Sequence, residues 1–151
     1  MAATAVHNGT AHHSLAAPVH SVSDLDDPVV QSFWLLRLAF TVAPILFGLD
    51  KFAHVLVNWD IYLAPEFADL FNAEPHTLMY FVGGIEIVAG LVVALRPRFG
   101  GYLVAAWLAG IIVDLLMMAD HYDIALRDFG LLLAALTLAR LAQVFPSSRR
   151  A

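Results

Sequence analysis

Four stretches of this chain, at about 33–57, 78–95, 99–119 and 124–145, are apolar enough to be expected to cross a lipid bilayer. That feature constrains the fold more than any other. A helix crossing the hydrocarbon takes about 20 mainly apolar residues, because the backbone must satisfy itself where no water is available. Interruptions are sparse: Pro44 and Asp50 in the first run, Glu86 in the second, Asp114 in the third, Arg127 and Asp128 near the start of the fourth. Of the 151 residues, 60% are apolar and 14% charged. An ordinary soluble domain carries roughly 45–50% and about 25%. The expected fold class is all-α: an integral membrane four-helix bundle with short loops, over residues 33–145.

Residues 1–32 hold no Lys or Arg and no long apolar run, and are rich in small residues, Pro, Ser and His, with His7, His12, His13 and His20 among them. This reads as a disordered or partner-ordered tail rather than a signal peptide. Residues 146–151 form a short basic C-terminal tail. The connection "LRPRFGG" makes the second and third spans an antiparallel hairpin, and "ADHYD" joins the third to the fourth. The first connection is longer, and its Trp59, Tyr62, Phe67, Leu70 and Phe71 alternate with acids. A short helix at the interface is expected there, since Trp and Tyr favour that depth.

Basic residues mark the cytoplasmic face. Arg37, Arg96, Arg98, Arg149 and Arg150 fall toward one side, together with Arg140, whereas Asp60, Glu66, Asp69, Glu74, Asp120 and Asp123 fall on the other. The chain is therefore expected in the cell membrane, multi-pass, with both termini cytoplasmic and the acidic loops outside. The net charge of -5 argues against a nucleic-acid partner.

This topology sends ionisable groups from all four helices into the outer half of the bundle: Asp50, Lys51 and His54 from the first, Glu86 from the second, Asp114 from the third, Arg127 and Asp128 from the fourth. Helical spacing groups them with small residues. Thr41, Pro44, Gly48 and Lys51 share one stripe; Gly83, Glu86, Gly90 and Ala94 a second. Ala106, Gly110, Asp114 and His121 form a third, and Arg127, Gly130, Ala134 and Thr137 a fourth. An unpaired charge at mid-membrane costs a few kcal/mol, so Lys51 and Arg127 are expected to staple the bundle through neighbouring acids. The surplus of four acids over two bases implies protonated carboxyls, a cationic His54 or His121, or contact with water or a partner. Glu86, the deepest carboxyl, is the leading candidate for proton or quinone handling, followed by Asp114.

The absence of cysteine excludes disulfides, iron–sulfur clusters and thiolate-bound metals carried by this chain. His54 and His121 lie at similar depths on different helices, but one pair near the surface is thin support for haem. No metal ligands are assigned, and His76 has a weaker claim still. No Walker loop, dinucleotide fingerprint, HExxH or nucleophile elbow is present.

The segments "RLAFTVAPILFGLDKFAHVLVNWDIYL", "GGIEIVAGLVVALRPRFGGYLVAAW" and "DIALRDFGLLLAALTLARL" resemble the DoxX-like membrane proteins. The likeness spans about residues 33–142 and rests on Arg37, Gly48, Lys51, Glu86 and Gly90, a set of polar and small residues at fixed spacings. It implies four membrane helices and association with redox assemblies, among them thiosulfate:quinone oxidoreduction. The thiosulfate reaction itself does not carry over from four helices, and catalytic residues stay unassigned. The expected function is a membrane accessory subunit of a respiratory or other electron-transfer complex, in contact with the lipid bilayer and other subunits, with no activity of its own. The alternatives are a quinone-binding oxidoreductase subunit and a small transporter or proton channel. Quinone is the one cofactor kept open.

Overall fold

Proline sets the start of the three most apolar helices. In the computed structural model α1 spans Pro28–Ala53, α3 Pro75–Leu95 and α4 Pro97–Met117, each with its proline in the first turn. There the missing N–H would have no partner in any case, and the fixed φ suits a helix. The short α2, Pro65–Phe71, follows a 3₁₀ turn at Trp59–Tyr62, and α5 covers Tyr122–Leu141. The structure describes residues 21, 23, 25–72, 74–118 and 121–145, excepting the side chains of Phe67, Ala68 and Phe71. His7, His12, His13, His20, Asp120, Arg149 and Arg150, and with them most of the N-terminal stretch and the basic C-terminal tail, lie outside the described residues. Among the described residues there is no strand.

The first helix begins five residues before the expected boundary. Asp27 caps it by accepting the Val29 N–H at 2.8 Å, and Pro28 follows as its first residue. It also ends earlier, at Ala53, where His54 adopts the left-handed conformation (φ 52°) and donates its backbone N–H to the Asp50 carbonyl at 2.7 Å. Helices α1, α3 and α4 are long and apolar enough to cross a membrane. The fourth long helix, α5, has 20 residues but carries Asp123, Arg127, Asp128 and Arg140, which keep it out of that class.

Two antiparallel helix pairs build the bundle, α1 with α3 and α4 with α5. Glycine lets the first pair approach closely. A Cβ on Gly48 would lie 2.6 Å from the Gly83 carbonyl oxygen, and one on Gly83 would lie 2.8 Å from that of Gly48. Such contact matters most between membrane helices, where lipid is as apolar as leucine and association rests on close packing and polar contacts. Arg37 adds a tie at the other end of the pair by donating to the Ala94 carbonyl in the last turn of α3, which has no helical N–H to accept from.

The two ends of the bundle differ in chemistry. Val30, Phe33, Val93, Leu138 and Phe145 pack into the apolar core, with the Phe33 and Phe145 rings 4.8 Å apart. Toward the opposite end, Asp50, Lys51, Glu86 and Asp128 are buried. Leu35, Leu38, Leu46, Phe81, Val88 and Leu126 form part of a large exposed apolar exterior, as lipid-facing surfaces do.

Candidate functional site

The polar end is organised by one ion pair. Lys51, in the last turn of α1, donates from Nζ to Glu86 Oε2 in the middle of α3 at 2.7 Å, with side-chain exposures of 4% and 11%. Lys51 and Glu86 thus face each other across the Gly48–Gly83 contact, which brings the backbones close enough for the two side chains to meet. The expected staple and the expected proton-handling carboxyl are two halves of one interaction.

Trp59, placed at the mouth by the 3₁₀ turn, joins this pair to Asp50. Its ring centroid lies 3.9 Å from Lys51 Nζ, a cation–π contact. Its indole Nε1–H donates to Asp50 Oδ2 at 2.6 Å. The other oxygen of Asp50 accepts the backbone N–H groups of Val55 and Leu56 at 3.1 and 3.0 Å. Among the described residues Asp50 therefore has no cationic partner; it shapes the chain just beyond α1. Asp114 behaves alike, its Oδ1 accepting the Ala64 N–H at 2.9 Å and tying the α1–α3 connection to α4.

The expected contributions from α4 and α5 need correction. Arg127 is not in the buried cluster: its side chain is 68% exposed, and it reaches Asp128 only at 3.4 Å, since neighbouring helical residues do not face each other. On α5 the packed face runs through Ala125, Asp128, Ala135, Leu138 and Ala139, while Gly130 and Thr137 are exposed. On α4 it runs through Gly100, Gly101, Val104, Ala105, Leu108 and Leu115, while Ala106 and Gly110 are exposed. Asp128 remains buried and close enough to Glu86 to repel it electrostatically.

His54 and His121 do not pair. The His54 ring lies against His76, centroids 5.0 Å apart and 20° from parallel, and His121 packs against Tyr62 at 5.3 Å. His76 Nδ1 is 3.0 Å from Asp60 Oδ2, and its Nε2 is 2.9 Å from the Tyr80 hydroxyl. His54, Asp60 and His76 each present a potential metal-ligating atom within 4.8 Å of the other two. The spacing of these residues along the chain gives no hint of this cluster. The left-handed turn at His54 and the start of α3 at Pro75 bring them together.

Near Glu86 stands one unmatched donor, the buried Trp107 indole N–H. It is directed toward the carboxylate but lacks a hydrogen-bond partner of normal geometry among the described residues. The fold and site thus define a class: an α-helical bundle with three helices able to cross a membrane and a buried Lys–Glu pair between the first two of them. No protein-family model matches the chain, and neither a curated protein nor a solved structure matches it significantly.

Proposed function

We propose that the chain is a multi-pass membrane protein in which α5 crosses alongside α1, α3 and α4, serving as an accessory subunit of a respiratory or other electron-transfer complex. The observation that carries the reading is the Lys51–Glu86 pair. Its charges are spent on each other and on Trp59, which is what a packing device requires, and Asp50 and Asp114 are likewise occupied by backbone N–H groups. The many exposed apolar side chains offer contacts to lipid and neighbouring subunits. The redox assignment rests on the resemblance to DoxX-like proteins through Arg37, Gly48, Lys51, Glu86 and Gly90. Both termini lie in the cytoplasm, with Arg37, Arg96 and Arg98 at that face and the Trp59–Glu74 connection outside.

A second reading draws on Trp107. A buried indole N–H beside Glu86 is suited to a quinone carbonyl, with Glu86 supplying or taking the proton. Extraction of the full chain in mild detergent, followed by identification of what co-purifies, tests the first reading. It expects stoichiometric redox-complex subunits, and recovery of the chain alone would overturn it. Because the chain has no cysteine, single-cysteine labelling maps its topology cleanly. L70C should react with an impermeant maleimide from outside and R98C only after permeabilisation; the reverse pattern would invert the orientation.

A further inference from the structure

We propose that His54, Asp60 and His76 form a binding site for one divalent transition-metal ion, with Zn²⁺ the best match to the donor set. Three separate elements supply the ligands: His54 from the turn that ends α1, Asp60 from the 3₁₀ turn and His76 from the first turn of α3. Their donor atoms lie within 4.8 Å of one another. Two ligands of a tetrahedral zinc, each about 2.0–2.1 Å from the ion, sit roughly 3.3 Å apart. The His76 Nδ1–Asp60 Oδ2 separation of 3.0 Å is already close to that spacing. The remaining closure is about 1.5 Å at most, within reach of rotating the His54 ring.

Two unsatisfied atoms point to a cation. The atoms His54 Nε2 and Asp60 Oδ1 are both buried and have no hydrogen-bond partner among the described residues. Buried polar atoms of this kind are costly when left without a partner. The backbone at His54 adds weight: a non-glycine residue at φ 52° is uncommon and persists where its surroundings hold it. Here it turns the chain back toward the start of α3, beside His76.

The outer shell is also built. His76 uses both ring nitrogens, Nδ1 toward Asp60 and Nε2 toward Tyr80. Without metal, Nδ1–H donates to Asp60 and the Tyr80 hydroxyl donates to Nε2. With Nδ1 on the metal, the proton sits on Nε2 and is donated to the Tyr80 oxygen. A hydroxyl serves both states, which is the role of the partners that orient metal-bound imidazoles. Two imidazoles and one carboxylate suit zinc, cobalt, nickel or ferrous iron and not magnesium or calcium, which prefer all-oxygen sites. Three protein ligands leave a fourth position open, the pattern of reactive rather than purely structural zinc. None of the three ligands takes part in the Lys51–Glu86 pair, so the site stands or falls independently of the accessory-subunit reading.

The test uses the full chain in detergent, stripped with chelator and titrated with Zn²⁺ by calorimetry and with Co²⁺ by visible absorption. One equivalent should bind per chain, with the intense cobalt bands of a four-coordinate site, and a large excess of Mg²⁺ should not displace it. H54A, D60N and H76Q should each abolish the cobalt bands while helicity by circular dichroism is kept. Y80F should weaken binding about 10- to 100-fold. A chain carrying His7→Ala, His12→Ala, His13→Ala and His20→Ala together should bind as the parent does. Should H54A misfold, D60N and Y80F carry the comparison. Absence of a saturable equivalent in the parent chain overturns the site, as does binding that survives D60N and H76Q or disappears with the four N-terminal substitutions.

Discussion

Replacing Lys51 by methionine removes one charge from a pair whose side chains are 4% and 11% exposed. At that burial the pair belongs with interior ion pairs, not with surface bridges worth about 0–1 kcal/mol. Removing one partner of a buried pair costs about 3–5 kcal/mol because the other charge is left uncompensated, a roughly 10²- to 4×10³-fold change in the unfolding equilibrium. K51M and E86Q should not be equal. K51M strands Glu86 beside the repelling Asp128, whereas E86Q leaves Lys51 its contact with the Trp59 ring at 3.9 Å, worth about 0.5–2 kcal/mol. K51M should therefore cost more than E86Q, both within about 3–5 kcal/mol. The double variant K51M/E86Q leaves no buried charge unpaired at these positions and should return to within about 1 kcal/mol of the parent, since apolar replacement of such pairs is often neutral. The assay is reversible unfolding in mixed micelles followed by circular dichroism, read as a double-mutant cycle. Costs that simply add in the double variant would refute the pairing, and a K51M milder than E86Q would refute the assigned roles of Asp128 and Trp59.

Glycine substitutions test the close approach in the same assay. G83A places a Cβ 2.8 Å from the Gly48 carbonyl oxygen and should destabilise by about 1–3 kcal/mol, the usual cost of overpacking. G84A, with nothing within 4 Å of the new methyl, should be neutral or stabilising by up to about 1 kcal/mol from helix propensity; equal effects would contradict the packing described. D50N keeps the shape of Asp50 but weakens its acceptance of the Val55 and Leu56 N–H groups. Amide hydrogen exchange should accelerate at Val55 and Leu56 and stay unchanged in the middle of α3, and unaltered exchange at both amides would show that Asp50 does not hold the chain just beyond α1.

The stripes on α1 and α3 could be read from residue order because each combines a charge with glycine at helical spacing: Gly48 with Lys51, and Gly83 and Gly90 around Glu86. A charge has to face protein inside a membrane, so it fixes the phase of its own helix. On α5 that logic failed because two charges stand side by side. Asp128 marks the packed face and Arg127 the exposed one, and small residues occur on both, Gly130 outward and Ala135 inward. On α4, Asp114 sits at the edge and is held by a loop amide, so it set the phase of its helix poorly. Lipid-facing and protein-facing surfaces are equally apolar in such helices, and hydropathy leaves the ambiguity unresolved. Trp59 was legible as an interfacial aromatic, but its double contact with Asp50 and Lys51 depends on the 3₁₀ turn. The meeting of His54, Asp60 and His76 depends on a left-handed residue that no glycine announces.

If Lys51 and Glu86 serve each other and not a bound ligand or a proton path, both charges can be removed together at little cost to function. The most direct measurement compares parent and K51M/E86Q chains after mild extraction from native membranes, scoring the proteins that co-purify and quinone-linked electron transfer by the recovered assembly. The double variant should recover the same partners with near-parent turnover, because it restores packing without either charge. Intact assembly with turnover abolished would contradict it and return Glu86 to chemistry.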